Sequence, residues 1–166
     1  IDEFCNWLFT DEHKGFSVIA HNGKGYDFQF ILRWVIENII STDPPTLIKA
    51  GSKIMWMSIP KYNIAFVDSM NFIAGPLASF PGIFGLDELA KGYFPHWFNT
   101  KDNWNYDSCM PPYEFFRPFN MKAEKMTHFL KWWSFNKLKN YRWNQQTEMK
   151  KYCISDVNIL QQGMLK

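Results

Sequence analysis

The sequence predicts an α/β fold in which a mixed sheet is flanked by helices. Two observations carry that prediction. Compact apolar runs of strand length, at 16–22 and within 46–73, alternate with segments whose apolar residues recur at helical spacing. Their order, strand then helix then strand meander then helices, is that of an α/β domain and not of segregated layers. The 166 residues, 46% of them hydrophobic, suffice for one domain with a sizeable core.

Taken in order, "DEFCNWLF" (2–9) places Phe4, Leu8 and Phe9 near helical spacing and predicts a short helix ending before "DEHKG". "FSVIAHN" (16–22) is a strand that runs into a Gly-containing loop. Phe28, Ile31, Leu32, Val35, Ile36 and Ile39 then mark one stripe of an amphipathic helix, stopped by "STDPP". Residues 46–73 are β-branched and aromatic, punctuated at Gly51 and at Pro60-Lys61-Tyr62-Asn63, and predict two or three antiparallel strands. A helix is expected within 79–94, centred on Leu86 to Gly92. Residues 94–120 are rich in aromatics, Asn and Pro and have no period, so a long ordered loop or insertion is expected there. Helices at about 121–139 and about 144–164 close the chain, the second carrying Cys153, Val157, Leu160 and Met164 as its apolar stripe.

Composition narrows the function. Charges interrupt every long apolar stretch, so no bilayer span is expected, and there is no basic-then-apolar leader. The first residue is Ile, so the chain is expected to be an internal piece of a longer reading frame. Cys5, Cys109 and Cys153 form no C-x-x-C pair, which argues against a disulfide framework or zinc ribbon and fits a reducing, intracellular setting, nuclear or cytoplasmic. The net charge is only +2, but residues 121–166 hold nine Lys and Arg against three acids. A basic end beside an acidic body suits a polyanion approached through metal ions, and equally a solvated helical face. Aromatics reach 19%, enough for a packed interior and for a surface that stacks on flat ligands.

Two aspartates stand out. Asp27 lies where the loop of "AHNGKGYDFQFIL" (20–32) meets the amphipathic helix. Asp156, in "MKKYCISDVNIL" (149–160), lies one helical turn beyond Tyr152, at the edge of an apolar stripe. A carboxylate at such a seam is costly without a partner, a cap to make or a metal to hold. Singly each has a structural explanation: the helix dipole favours a first-turn acid such as Asp27, and Asp156 fits a surface or capped position. Together they can ligate divalent cations, which favour oxygen donors and retain waters.

The loop and the helix resemble two motifs of the family B DNA polymerases. "AHNGKGYDFQFIL" resembles the second exonuclease motif, an Asn followed after a short loop by aromatic-Asp, and "YCISD" resembles the third, Tyr-x-x-x-Asp. "GSKIM", "DSMNF" and "FGLDELAKGYFPHWFNT" are similar to the connecting text of the protein-primed branch, especially the polymerases of Polinton/Maverick elements and related viruses. The resemblance runs in order over nearly the whole chain. It implies an RNase H-like fold and a proofreading 3′–5′ exonuclease of the DEDD type. It further implies that Asp27 and Asp156 are catalytic carboxylates and metal ligands, that Tyr152 orients the attacking water, that Asn22 holds the 3′-terminal nucleotide and that Tyr26 stacks on the terminal bases. "SMNFI" resembles the branch's single-strand-binding motif, which carries Ser69 and Met70 over as DNA contacts, Met standing where the motif has Leu. Lys24 and Lys91 are candidate phosphate neighbours.

The resemblance implies two Mg²⁺ (or Mn²⁺) ions in the complete domain. Phosphodiester hydrolysis needs an in-line water, neutralised phosphoryl oxygens and a stabilised leaving 3′-oxygen, and paired ions about 4 Å apart supply all three. One motif is missing. The family's Asp-x-Glu occurs nowhere in the chain, and "IDEF" is Asp-Glu at the start of a helix. Residues 1–166 are therefore expected to be a partial exonuclease domain without the opening strand of the sheet, without the polymerase palm and catalytically silent alone. The implied partners are a single-stranded DNA 3′ end and, through absent parts, primer-template DNA and a terminal protein, with no membrane and no obligate oligomer. Two other readings use the same residues: an inactive single-stranded DNA-binding module, and a decayed mobile-element remnant.

Overall fold

The computed structural model describes residues 1–39, 42–86 and 92–166. It is mixed α/β and divides into two compact units, Ile1–Leu77 and Ala78–Lys166.

In the first unit, helix α1 (Asp2–Leu8) precedes strand β1 (Ser17–Ala20) and helix α2 (Asp27–Asn38); strands β2 (Thr46–Ala50), β3 (Lys53–Ile59) and β4 (Ile64–Asp68) follow. The strands form one mixed sheet in the order β1-β4-β3-β2. Residues 46–68 supply the expected antiparallel meander, turned at Gly51, whose φ of 60° suits a residue without Cβ, and again at Pro60–Tyr62 before left-handed Asn63. β1 pairs with β4 in parallel, Ser17 opposite Ala65 through Ala20 opposite Asp68, so both strands end at the same level. Strict alternation along β4 puts Ile64, Phe66 and Asp68 on the buried face. Ile64 and Phe66 join Ile54, Met57 and Ile59 of β3 in a core closed by Cys5, Leu8 and Phe9 and by Phe28, Ile31 and Val35 of α2. Trp34 of α2 stacks on Phe9, their ring centroids 5.7 Å apart, which ties the two helical segments together.

Two details of that core differ from the sequence pattern. Cys5, not Phe4, turns inward from α1, and Ile36 of α2 is exposed. In both helices the buried stripe is narrower than the apolar stripe, because a small four-stranded sheet covers only part of a helix face.

The second unit holds helix α3 (Phe80–Phe84), a two-stranded ribbon of β5 (Asp107–Ser108) and β6 (Trp143–Asn144), helix α4 (Ala123–Leu138) and helix α5 (Gln145–Met164). The two long helices fall within two residues of their expected spans. Of the helix expected over 79–94, α3 is a short piece ended at Gly85 (φ 61°), Leu86 and residues 92–94 are not helical, and 87–91 lie outside the described residues. Residues 94–120 are threaded by 3₁₀ turns at His96–Phe98, Tyr113–Phe116 and Pro118–Asn120. Phe94, Met110, Phe116, Phe129 and Trp143 form a largely aromatic core. Arg142 clips the ribbon to Asp107 with two bonds of 2.7 and 3.3 Å and holds the Asp107 carboxyl below its ordinary range. α5 is capped by the Asn144 side chain, which accepts from the Thr147 N–H at 3.0 Å.

The stripe expected on α5 needs correction. Cys153 and Val157 are exposed, whereas Gln145, Ile159 and Gly163 are buried and Met149, Tyr152 and Asp156 are half-buried. The inward face therefore runs Gln145, Met149, Tyr152, Asp156, Ile159, Gly163 at helical spacing, and Asp156 lies on it rather than at its edge. Gly163 is fixed by close approach: a Cβ there would stand 2.5 Å from the Phe80 ring. Gly163→Ala is accordingly expected to destabilise the protein by about 1–3 kcal/mol through overpacking. Gly82→Ala, where nothing lies within 4 Å, should be neutral or slightly stabilising. Urea midpoints of the two variants at unchanged slope check this.

Candidate functional site

The parallel pairing of β1 with β4 sends two loops out of the same end of the sheet. After Ala20 the chain runs through His21, Asn22, Gly23, Lys24 and Gly25 to Tyr26, and after Asp68 it makes a 3₁₀ turn, Ser69–Asn71. Crevices at the carboxyl ends of parallel strands are where α/β sheets place ligands. The Asp68 carboxylate, 0% exposed, joins the two loops. Its Oδ1 accepts from the N–H groups of Asn22 (3.0 Å) and Met70 (2.8 Å), and its Oδ2 accepts from the N–H of Lys24 (2.9 Å). His21 Nδ1 lies 2.9 Å from Ser69 Oγ, and Lys24 Nζ donates to Asn71 Oδ1 at 3.1 Å.

The loop sequence follows from this packing. Asn22 has φ 67°, a left-handed conformation that Asn tolerates better than most residues. Gly23 is buried where a Cβ would stand 2.7 Å from Phe28 and 2.8 Å from Ala20, so no larger residue fits without displacing the core. The N–H of Phe28 bonds Gly23 O (3.1 Å), which fastens the loop to the first turn of α2.

The first unit thus brings together five of the expected site residues. Asn22 is exposed, Tyr26 is 75% exposed as the residue preceding α2, and Asp27 is exposed as its first residue, where the helix dipole favours a carboxylate. Ser69 is fully buried on His21, and Met70 is half-buried and bound to Asp68 through its main chain. Lys24 serves the clamp with its main chain and Asn71 with its side chain; Lys91 lies outside the described residues. In the second unit Tyr152 and Asp156 share the inward face of α5. The Tyr152 ring packs on Phe94 at 5.2 Å and on the edge of His96 at 5.3 Å.

Among the described residues no three His, Cys, Asp or Glu side chains gather as a metal cluster. Asp27 and Asp156 are oxygen donors of the class that hard cations take, but each unit contributes only one of the two acids. No helix among the described residues is long and apolar enough to cross a membrane.

The family described as DNA polymerase type B, organellar and viral, matches residues 11–166. The chain belongs to that family. A relative from Neurospora intermedia, described as a probable DNA polymerase, is 26% identical over 169 residues. The match takes in 95% of this chain and spans 17% of the relative's length. No solved structure matches the chain.

For a type B polymerase segment, the residue that sequence reasoning missed is Asp68. Its signal was present, since Ile64, Phe66 and Asp68 alternate and so set a carboxylate on the apolar face of a strand. In "DSMNF" the resemblance points to Ser69 and Met70, and the acid preceding them holds the loop.

Proposed function

We propose that this chain is part of a protein-primed type B DNA polymerase and carries the second and third motifs of its 3′–5′ proofreading exonuclease on an RNase H-like fold. One observation supports the reading above the others. Asn22 and Tyr26, on the loop at the carboxyl end of a parallel strand pair, and Asp27, the first residue of the helix that this loop leads into, all stand exposed. The match to the polymerase family over 11–166 agrees with it.

In this reading the 3′-terminal nucleotide meets the Asn22 amide, and the Tyr26 face stacks on the terminal bases without reading sequence. Tyr152 orients a water for in-line attack on the last phosphodiester. The P–O3′ bond breaks, the released nucleotide keeps the phosphate, and the shortened strand keeps its 3′-oxygen, which takes a proton. Asp27 and Asp156 would hold Mg²⁺ or Mn²⁺. The ions, when bound, supply charge neutralisation at the phosphoryl oxygens and at the leaving oxygen. Side chains do little covalent work in such a step, so positioning dominates. Because the sequence contains no Asp-x-Glu, residues 1–166 alone are proposed to be hydrolytically silent. Primer-template DNA and the priming protein would engage other parts of the polymerase, in an intracellular setting.

The C-terminal end of α4, with Lys139 just beyond it, is where contacts to a single strand are proposed. Lys137 lies 4.7 Å from the Trp133 ring centre and Lys139 lies 4.2 Å from that of Phe135, while Phe135 and Leu138 are exposed. Cations interleaved with aromatic faces suit a phosphate backbone with unstacked bases.

In the full-length polymerase, Asp27→Ala and Asp156→Ala should each lower single-turnover release of the 3′ nucleotide by about three orders of magnitude, equivalent to ~4 kcal/mol. The double variant should be little worse than either single one, because both acids are proposed to serve the same step. Tyr152→Phe should cost only about ten-fold, the scale of one hydrogen bond. Polymerisation should survive in all of them. Full proofreading by Asp156→Ala would refute the assignment. DNA binding without Mg²⁺-dependent nucleotide release in the wild-type polymerase would identify a non-hydrolytic binding module.

Single-stranded DNA should bind with a modest preference over duplex, and log affinity should fall linearly with log salt, with a slope of about −0.7 per phosphate neutralised. A filter-binding or anisotropy titration that stays flat as salt is raised several-fold contradicts the role given to the α4 cations.

A further inference from the structure

We infer that Asp68 is the positioning residue of the nucleotide-binding loop: its buried carboxylate sets Asn22 against the Ser69–Met70 turn without itself touching DNA or metal. The inference rests on the exonuclease reading for its effect on rate, but its structural half stands on geometry alone. A buried charge is tolerated only where hydrogen bonds replace its hydration. At Asp68 three main-chain N–H groups do so, at 2.8 to 3.0 Å.

The division of those bonds between the two oxygens gives the carboxylate its function. Oδ1 is shared by Asn22 N–H and Met70 N–H, so one atom ties the loop after β1 to the turn after β4. Oδ2 takes Lys24 N–H, two residues further along the same loop, which fixes the orientation of the Asn22–Lys24 segment as well as its place. The exposed Asn22 side chain projects from a residue whose own N–H is held and whose φ is left-handed, so its direction is inherited from the clamp. Two neighbouring bonds run between the same two loops, His21 to Ser69 and Lys24 to Asn71. An ionised carboxylate accepts at both oxygens; an amide of the same shape accepts at only one and presents a donor at the other. Asp68→Asn therefore keeps the volume and charges the loss to a single bond, leaving one main-chain N–H facing an N–H₂.

The test uses full-length polymerase, with Asp68→Asn and Asp27→Ala prepared side by side. Mg²⁺-dependent single-turnover release of the 3′ nucleotide from labelled single-stranded DNA should fall about 10- to 100-fold in Asp68→Asn, as misplacement of a contact on the order of 1 Å costs. Polymerisation should stay near wild type, and the thermal midpoint should fall only by the few degrees that one lost hydrogen bond costs. Amide hydrogen exchange across residues 20–26 should quicken in Asp68→Asn while the rest of the sheet is unchanged. The inference is overturned if exchange in 20–26 is unaltered. It is overturned too if Asp68→Asn digests DNA at the wild-type rate while Asp27→Ala is inactive, or if polymerisation falls together with hydrolysis, the mark of a merely structural aspartate. Wild-type digestion by Asp27→Ala is a different result: it refutes the exonuclease reading itself, and the exchange measurement still decides whether Asp68 sets the loop.

Discussion

A carboxylate with no exposed surface can persist only where donors surround it, and around Asp68 all three donors belong to the main chain. Main-chain donors cannot be supplied by choosing different side chains. They have to be brought there by the path of the chain. The parallel register that sets Ala20 beside Asp68 brings the loop after β1 within reach of the end of β4. The bulkless Gly23 lets that loop lie on Phe28 and Ala20, and left-handed Asn22 turns its N–H inward. Sheet register, glycine placement and backbone handedness thus satisfy one charged group, and in doing so they stiffen the segment that presents Asn22, Tyr26 and Asp27.

The same chain uses its aromatic residues in two ways. In the first unit Phe9, Phe28, Trp34 and Phe66 pack helix to sheet and leave little aromatic surface in the core uncovered. In the second, where the described residues form only a ribbon of two two-residue strands, rings replace the sheet as the organising layer. Phe94, Phe116, Phe129 and Trp143 meet one another with centroids 5.2 to 6.2 Å apart, and Tyr152 is anchored by Phe94 and His96. Offset and edge-on ring packing of this kind adds about 0.5–1.5 kcal/mol per pair beyond the area it buries. It also holds Tyr152 by its ring, leaving the placement of the hydroxyl to follow from the core.

Much of the fold could be read before the structure because its signals are local. The apolar stripe of α2, the alternation in 46–68 with Gly51 and Pro60 between strands, and the spans of α4 and α5 depend on residues a turn or two apart. The parallel pairing of β1 with β4 was not legible, since it joins residues 48 positions apart and no side-chain pattern within four residues encodes a partner. α5 shows the opposite failure. Its apolar residues mark Cys153 and Val157, yet the inward face holds buried Gln145 with half-buried Tyr152 and Asp156; Gln145 bonds Trp143 and Asn99, and those bonds offset the cost of burying its amide. Hydrophobicity alone therefore set the stripe about one position out of phase. At the candidate site, the resemblance points to Asn22, Tyr26 and Asp27, whereas Asp68, which holds their loop, sits inside "DSMNF" with no role attached to it and shows itself as a polar break in an apolar alternation.

Asp27 and Asp156 are mounted differently, and the difference bears on how precisely each could serve the reaction proposed for them. Asp27 is exposed in the first turn of a helix, a position worth about 0.3–1 kcal/mol to a carboxylate. Its main chain is fixed from both sides, by α2 after it and by the clamped loop before it. Asp156 stands in the middle of a 20-residue helix, where Asp is a poor helix former, on the same inward face as Tyr152 and Ile159. A site built on helices and strands is held more precisely than one built on loops. Asp156 meets that condition through its helix alone. Asp27 meets it only because the loop leading into its helix is bonded to the sheet, so its precision is borrowed from β4 through Asp68. Loosening that carboxylate would leave α2 intact and its first turn in place, yet it would free Asn22 to turn independently of Asp27. The relative setting of Asn22 and Asp27, more than the presence of either, is what the clamp maintains.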